Sequence, residues 1–216
     1  MPHVEVRPYA AADRAGLVAL FDAAGTGAPG SEVWGHTESL NEVYLTPYLD
    51  LEPESAFVAV VDGQLAGYLV GCVDDRRFPS EEERLTAVIK KYRLFRRRES
   101  RRFFVRAAWD ALVLKVRREP TAGELSDPRW PSHLHIDLLP VARGTGAADG
   151  VMNLWFDRLR DVGSPGCYLQ TSAENTRAVK FFERMGFEKH GDTPVVPGSR
   201  HEGKRLHQQT MVWTTR

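Results

Sequence analysis

The sequence predicts an α/β (α+β) fold, a mixed central sheet flanked by helices within one domain spanning residues 1–216. Three observations lead there. Asp62-Gly63 sits between two runs rich in β-branched and aromatic residues, the dipeptide that a tight antiparallel hairpin prefers. In the last third, extended and helical periodicities alternate, and alternation after an antiparallel hairpin implies a mixed sheet of about six or seven strands. With 42% hydrophobic and 27% charged residues over 216 positions, there is apolar material for one sizeable core. No internal repeat is present.

Taken in order, His3 to Tyr9 has the period-two pattern of a first strand, and Asp13 precedes Leu17, Leu20 and Phe21 at helical spacing. Gly25 to Gly30 reads as a loop. Val33, Leu40, Val43 and Tyr44 then suggest a second helix, stopped near Pro47. Ser55 to Val61 and Leu65 to Val73 are the hairpin strands. Asp74 to Pro131 is a long charged insertion before the central strand, with helices expected over Glu81 to Phe95 and Phe103 to Arg118. A strand His133 to Leu139, a Gly-rich turn, a helix Ala147 to Arg160, a strand Cys167 to Thr171, a helix Asn175 to Met185 and a strand near Gln209 to Thr214 complete the chain.

The Gly-rich turn carries the first functional signal. In PVARGTGAADG, Gly144 and Gly146 fall between the strand and a helix whose apolar stripe is Val151, Leu154, Trp155 and Leu159. Glycine lets the backbone turn sharply and approach a ligand, so successive N–H groups at a helix start converge on phosphate. An ordinary connection also uses such glycines, so context decides. That context is the helix from Asn175, a residue suited to N-capping, to Gly186, suited to the left-handed position after a helix. Together the two segments resemble the GNAT acyltransferase superfamily, with its Arg/Gln-x-x-Gly-x-Gly/Ala loop and its Asn-x-x-Ala-x-x-Phe-Tyr-x-x-x-Gly-Phe helix. Arg143, Gly146 and Ala148 match the first pattern; Asn175, Ala178, Phe181, Gly186 and Phe187 match the second. The order of the other elements also follows the superfamily, except over much of the insertion. More narrowly, AFVAVVDGQLAGYLVGCVD and PSHLHIDLLP look like bacterial proteins related to the acetyltransferase-like domain of animal O-GlcNAcases.

The resemblance implies a splayed sheet and acetyl-CoA as co-substrate, held by Arg143, Gly144, Thr145, Gly146, Ala147, Ala148, Asn175, Ala178, Phe181 and Phe182. Pantetheine would pair like an extra strand with main chain around Leu138, Leu139 and Val141. It further implies direct attack of a neutral amine on the thioester in a ternary complex, with the Leu138 N–H polarising the carbonyl. An amine with an unperturbed pKa of about 10.4 needs a proton acceptor at neutral pH. Alternation puts His133, His135, Asp137 and Leu139 on one strand face and Leu134, Ile136 and Leu138 on the other. Asp137 is the leading base candidate and His135 the second; the other reading has Asp137 orienting a loop and the histidines simply paired. One departure stands out: Phe182 occupies the position where many relatives carry a tyrosine that protonates the leaving thiolate. A CoA thiol, on the cysteine scale of about 8.5, leaves without that acid. The alternative is an acetyl-CoA-binding regulatory module with weak or no catalysis.

The remaining signals exclude more than they add. Lys+Arg and Asp+Glu both total 29, so no global field draws nucleic acid or an anionic membrane, and neither partner is expected. The basic run Lys90 to Phe103 reads as a solvated helix face with Leu85, Ile89, Tyr92 and Phe95 toward the core. Cys72 and Cys167 read as buried thiols of a cytoplasmic protein, with no export segment and no spanning helix. The histidines show no metal-ligand spacing, and no metal is expected. The acceptor, an amine on a small molecule, a peptide or a protein, would be shaped by residues 25–53 and 74–131. A homodimer remains open.

Overall fold

The computed structural model describes residues 2–24 and 34–215. The loop expected at Gly25 to Gly30, and the Val33 position of the second helix, lie outside them. Eight strands form one sheet in the order β1 (Val4–Pro8), β2 (Ala56–Val61), β3 (Gln64–Cys72), β4 (Ser132–Leu138), β5 (Gly166–Ser172), β8 (Lys204–Thr214) and β6 (Glu188–His190), with β7 (Val195–His201) pairing β8 off that path. All neighbours are antiparallel except β4 and β5, which run parallel through two residue pairs, Ser132 with Cys167 and His133 with Tyr168. Beyond His133 the two central strands diverge.

Asp62 and Gly63 turn the β2–β3 hairpin with φ of +51° and +81°, the two left-handed positions that a type I′ turn requires. The two strands beyond the expected six or seven are β6 and β7. β6 has three residues, and β7 is interrupted by Pro197 and Gly198, with a register shift between Val195 and Arg200, so neither shows a clean alternation.

Helices α1 (Arg14–Ala24), α2 (Thr37–Tyr44) and α3 (Thr46–Leu51) pack before the hairpin. α2 ends at Tyr44, near Pro47 as expected, and Pro47 itself sits in the first turn of α3, where its missing N–H would be unpaired anyway. In the insertion, α4 (Glu81–Tyr92) starts with a Ser80–Glu83 capping box and ends at Arg93, which adopts φ of +51°, rather than at Phe95. α5 (Arg98–Arg117) begins at Arg98 instead of Phe103. Phe95, expected to face the core, is 58% exposed, because the break at Arg93 takes it out of the register that packs Leu85, Ile89 and Tyr92, half-buried, against Val43 and Val88.

Two apolar clusters sandwich the sheet. On one face α6 (Ala147–Asp161) and α7 (Thr176–Arg184) cover Phe57, Leu69, Leu134, Ile136 and Leu138, with Trp155 fully buried at the centre. β3 approaches α6 so closely that a Cβ on Gly71 would lie 2.5 Å from the Trp155 ring. On the other face Leu17, Tyr48, Leu49, Tyr68, Val70 and Cys72 pack together with Leu139. The alternation expected along β4 is therefore the one observed. A third cluster, built on Trp34, Val43, Val88, Leu94 and Phe104, attaches the insertion to α2. Among the described residues no helix is long and apolar enough to cross a membrane.

Candidate active site

β4 leads through a single helical turn, Pro140–Ala142, into the loop Arg143 to Gly146 and then α6. Gly144 and Gly146 have φ of +70° and +86°, and a Cβ at either would meet no atom within 4 Å. The glycines thus answer to backbone conformation and leave open space above the helix start. Thr145 Oγ1 donates to the Ala142 carbonyl (2.8 Å) and accepts the Ala147 N–H (3.3 Å), which fixes the loop against α6. Helical N–H groups of the first turn have no intrahelical acceptor, and the positive end of the macrodipole lies there. These features fit an anion such as a pyrophosphate. Arg143 and Val141 are exposed beside the loop, and Ala148 is half-buried. Asp149 in the same turn is neutralised by Arg184 of α7 at 2.7 Å.

The Asn175 side chain caps α7 by accepting the Ala178 N–H at 3.2 Å, and Gly186 leaves it with φ of +92°. Phe182 is buried in the core edge-on to Phe181 (5.2 Å) and near Phe187 (5.8 Å); Phe181 is half-buried with the Arg184 guanidinium over its ring.

The divergence of β4 and β5 makes a wedge. The Leu139 N–H bonds the Ala66 carbonyl across β3 at 2.8 Å, so alternation turns the main-chain groups of Ile136 and Leu138 away from β3, into the wedge. Leu139 itself has both groups occupied, since its carbonyl accepts the Ala142 N–H at 3.0 Å. An extended ligand would find donors and acceptors at Ile136 and Leu138, not at Leu139.

Where β4 and β5 part, a small cleft of about 20 Å³ is lined by His133, Leu134 and His135 of β4, Tyr168, Leu169 and Gln170 of β5, and Glu81, Arg84 and Glu124 of the insertion. Tyr48 of α3 ties these together. Its hydroxyl lies 2.6 Å from His133 Nε2 and 3.0 Å from His135 Nε2, and it accepts an N–H from Arg84 at 2.9 Å. Arg84, buried, also donates to the Val43 carbonyl at 2.6 Å. His133 Nδ1 is bonded to Asp75. Burial, then the neighbouring His133 and Arg84, push the His135 pKa well below the usual histidine value, so this ring is neutral at pH 7. Its Nδ1 makes no hydrogen bond among the described residues.

Asp137 accepts the Tyr68 hydroxyl at 2.6 Å. Burial raises its pKa above the usual carboxylate range, and the Tyr68 hydrogen bond opposes part of that rise. Asp137 does not line the cleft, whereas His135 does. Burial likewise raises the pKa of Glu124. Sequence reasoning missed Tyr48, Asp75, Arg84, Glu81, Glu124 and Tyr168. They come from five separate segments, and no spacing joins them. Cys72, Asp75 and His133 bring one ligand-type atom each within 4.8 Å of one another. The Asp75–His133 bond occupies the imidazole, and burial pushes the Cys72 thiol up, leaving a neutral thiol beside an acid–imidazole pair.

The pattern of the acetyltransferase (GNAT) family matches residues 28–187. The chain belongs to that family. Among solved structures, SsHAT is 25% identical and superposes with a TM-score of 0.64 over 100% of both chains. YncA, a putative acetyltransferase from Salmonella typhimurium solved with its cofactor acetyl-CoA, is 13% identical with a TM-score of 0.59 over 99% of this chain and 94% of its own. The ribosomal-protein-alanine N-acetyltransferase of Brucella melitensis is 16% identical, at 0.58 over 97% and 99%. The mixed, open sheet with its parallel central pair is the GNAT fold, as the sequence predicts.

Proposed function

We propose that this GNAT family member is an acetyl-CoA-dependent N-acetyltransferase working by direct attack of an amine within a ternary complex. The observation that carries the reading is the wedge: main-chain groups of Ile136 and Leu138 that face away from β3 and have no strand partner among the described residues, beside a loop whose two left-handed glycines open onto a helix start. Arg143 to Ala148 would receive the pyrophosphate, and the Leu138 N–H would hold the thioester carbonyl. The chain acts as one domain, and its insertion, residues 74–131, supplies the acceptor side through Glu81, Arg84 and Glu124. His135 and Asp137 remain the two bases. His135 is favoured because it is neutral, lines the cleft and keeps Nδ1 open, while Asp137 already holds the Tyr68 hydroxyl. The narrower kinship with bacterial relatives of the O-GlcNAcase acetyltransferase-like domain belongs to this proposal and is supported by the two segments quoted above. Both cysteines are free and buried, which supports a reducing compartment.

Calorimetry with acetyl-CoA, followed by an acceptor screen that reads free thiol, tests the proposal. Binding followed by thiol release on at least one amine is expected. Absence of acetyl-CoA binding overturns it, and binding without release on a broad panel replaces catalysis by the regulatory reading. Within an active enzyme, loss of turnover in His135→Gln with Asp137→Asn near wild type assigns the base to His135; the reverse assigns it to Asp137.

A further inference from the structure

The hydroxyl of Tyr48 meets three nitrogens, and the protons around it decide where His135 carries its own. Arg84 has only donors, so its N–H, 2.9 Å away, takes one of the two lone pairs on the Tyr48 oxygen. His133 Nε2 at 2.6 Å and His135 Nε2 at 3.0 Å divide what is left, one lone pair and one O–H proton. Tyr48 is fully buried, and burial above all raises its pKa beyond the usual tyrosine value, so it keeps that proton. One imidazole must therefore accept from Tyr48, and the other must donate to it.

The choice is made on the far side of His133. Its Nδ1 is bonded to Asp75, and a carboxylate only accepts, so the His133 proton sits on Nδ1. In the neutral ring Nε2 is then bare and receives the Tyr48 proton. The remaining lone pair of Tyr48 is filled by an N–H from His135 Nε2. His135 is neutral, so its second nitrogen carries no proton. That nitrogen, Nδ1, has no hydrogen-bond partner among the described residues, yet it is not one of their buried unpaired polar atoms, which are Asn41 Oδ1 and Trp155 Nε1. It therefore reaches solvent where His135 lines the cleft. We propose that Asp75, His133 and Tyr48, with Arg84, are positioning residues that hold His135 as the Nε2–H tautomer and so present its Nδ1 lone pair to the acceptor amine. This rests on the reading of His135 as the base. In transfer the amine nitrogen bonds the acetyl carbon, the carbon–sulfur bond breaks, the sulfur leaves as thiolate, and the amine proton passes to Nδ1, directly or through one water. The imidazolium so formed keeps its Nε2–H bond to Tyr48, and no hydrogen bond in the chain has to turn round. The opposite tautomer would offer the amine an N–H and no lone pair.

Long-range proton–nitrogen NMR spectra of the full chain, isotope-labelled at histidine and assigned with His133→Gln and His135→Gln, tell protonated from bare ring nitrogens and do not depend on turnover. Near neutral pH, His133 should show a protonated Nδ1 and a bare Nε2, and His135 the reverse. Asp75→Leu gives the second reading. Without the carboxylate, His133 should move its proton to Nε2, Tyr48 should turn its O–H to His135, and His135 should carry its proton on Nδ1, three hydrogen bonds away from the substitution. Turnover should then fall at least about tenfold with the KM for acetyl-CoA unchanged. Loss of packing alone would leave the His135 tautomer in place. In the wild-type chain, a proton on His135 Nδ1, or on both nitrogens of His133, overturns the proposal, and so does an unchanged His135 signal in Asp75→Leu. Should that variant not fold, the wild-type spectrum decides alone. The expected tautomers in a chain whose His135→Gln variant keeps full turnover would overturn the base reading itself, and the positioning role with it.

Discussion

Gly146 and Gly163 stand at the two ends of α6, and the pair separates backbone strain from ligand recognition. Both lie in the left-handed region, at φ of +86° and +67°, and a Cβ at either meets no atom within 4 Å. Alanine at each therefore costs only the left-handed backbone, about 1–2 kcal/mol, offset by about 0.4–1 kcal/mol from the less flexible unfolded chain. The net loss of about 1 kcal/mol corresponds to about 2–4 °C in Tm for a chain of this length, for both variants. Their ligand behaviour should differ. The new methyl at Gly146 projects into the open space where the proposed function puts the pyrophosphate, so acetyl-CoA affinity should fall at least about tenfold, which is about 1.4 kcal/mol. Gly163→Ala should bind as wild type. Thermal melts and calorimetric titration of the two proteins side by side provide the assay. Wild-type affinity in Gly146→Ala, or equal weakening in both, would refute the assignment of this loop.

Three further outcomes follow from buried polar groups and from the core. Tyr68→Phe removes the donor to Asp137 and should destabilise the protein by about 1–3 kcal/mol. Asp137 has a raised pKa in the folded state, so its ionisation costs stability as pH climbs from the unfolded carboxylate value through the folded one; without Tyr68 that value rises further. The deficit should accordingly grow from pH 5 to pH 8, and urea titrations giving the same deficit at both would contradict it. Phe182→Tyr places a hydroxyl among Phe181, Phe187 and core residues; it should lower stability by about 1–3 kcal/mol and change turnover only a few fold. A rise in turnover of orders of magnitude would show that the natural protein lacks a needed acid. Asp110→Ala strips Arg200 and Arg205 of their shared carboxylate and should cost about 3–5 kcal/mol, seen as a drop of roughly 10 °C in Tm. An unchanged melt would show that Asp110 does not hold α5 to β7 and β8.

Elements with their own punctuation were legible in the sequence. Asp62-Gly63 fixes a hairpin by local φ preference, and Gly146, Asn175 and Gly186 mark helix ends by capping chemistry, so β2–β3, α6 and α7 were readable without tertiary knowledge. The alternation of β4 was readable as well, because its neighbours bury the two faces differently. What escaped depends on long-range pairing. β7, broken at Pro197-Gly198, is a strand only because β8 lies beside it. The break between α4 and α5 rests on Arg93 in a left-handed conformation that nothing in its residue type favours. The candidate site divides the same way. The loop was visible as a motif, while the Tyr48–His133–His135–Arg84 network joins residues 36 to 87 positions apart and exists only after α3 and α4 fold onto β4.

The two rungs between β4 and β5 leave the protein with a pair of strand edges that it keeps inside itself. Exposed edges invite pairing with other chains, and proteins usually shield them with charge, bulges or a covering segment. Here the shielding is geometric. The strands are joined at Ser132 and His133 and part only beyond, so each edge is pinned at one end by the other strand and neither lies on the rim of the sheet. Edges that would be an aggregation hazard on the rim are, at the centre, flanked on both sides by paired strands.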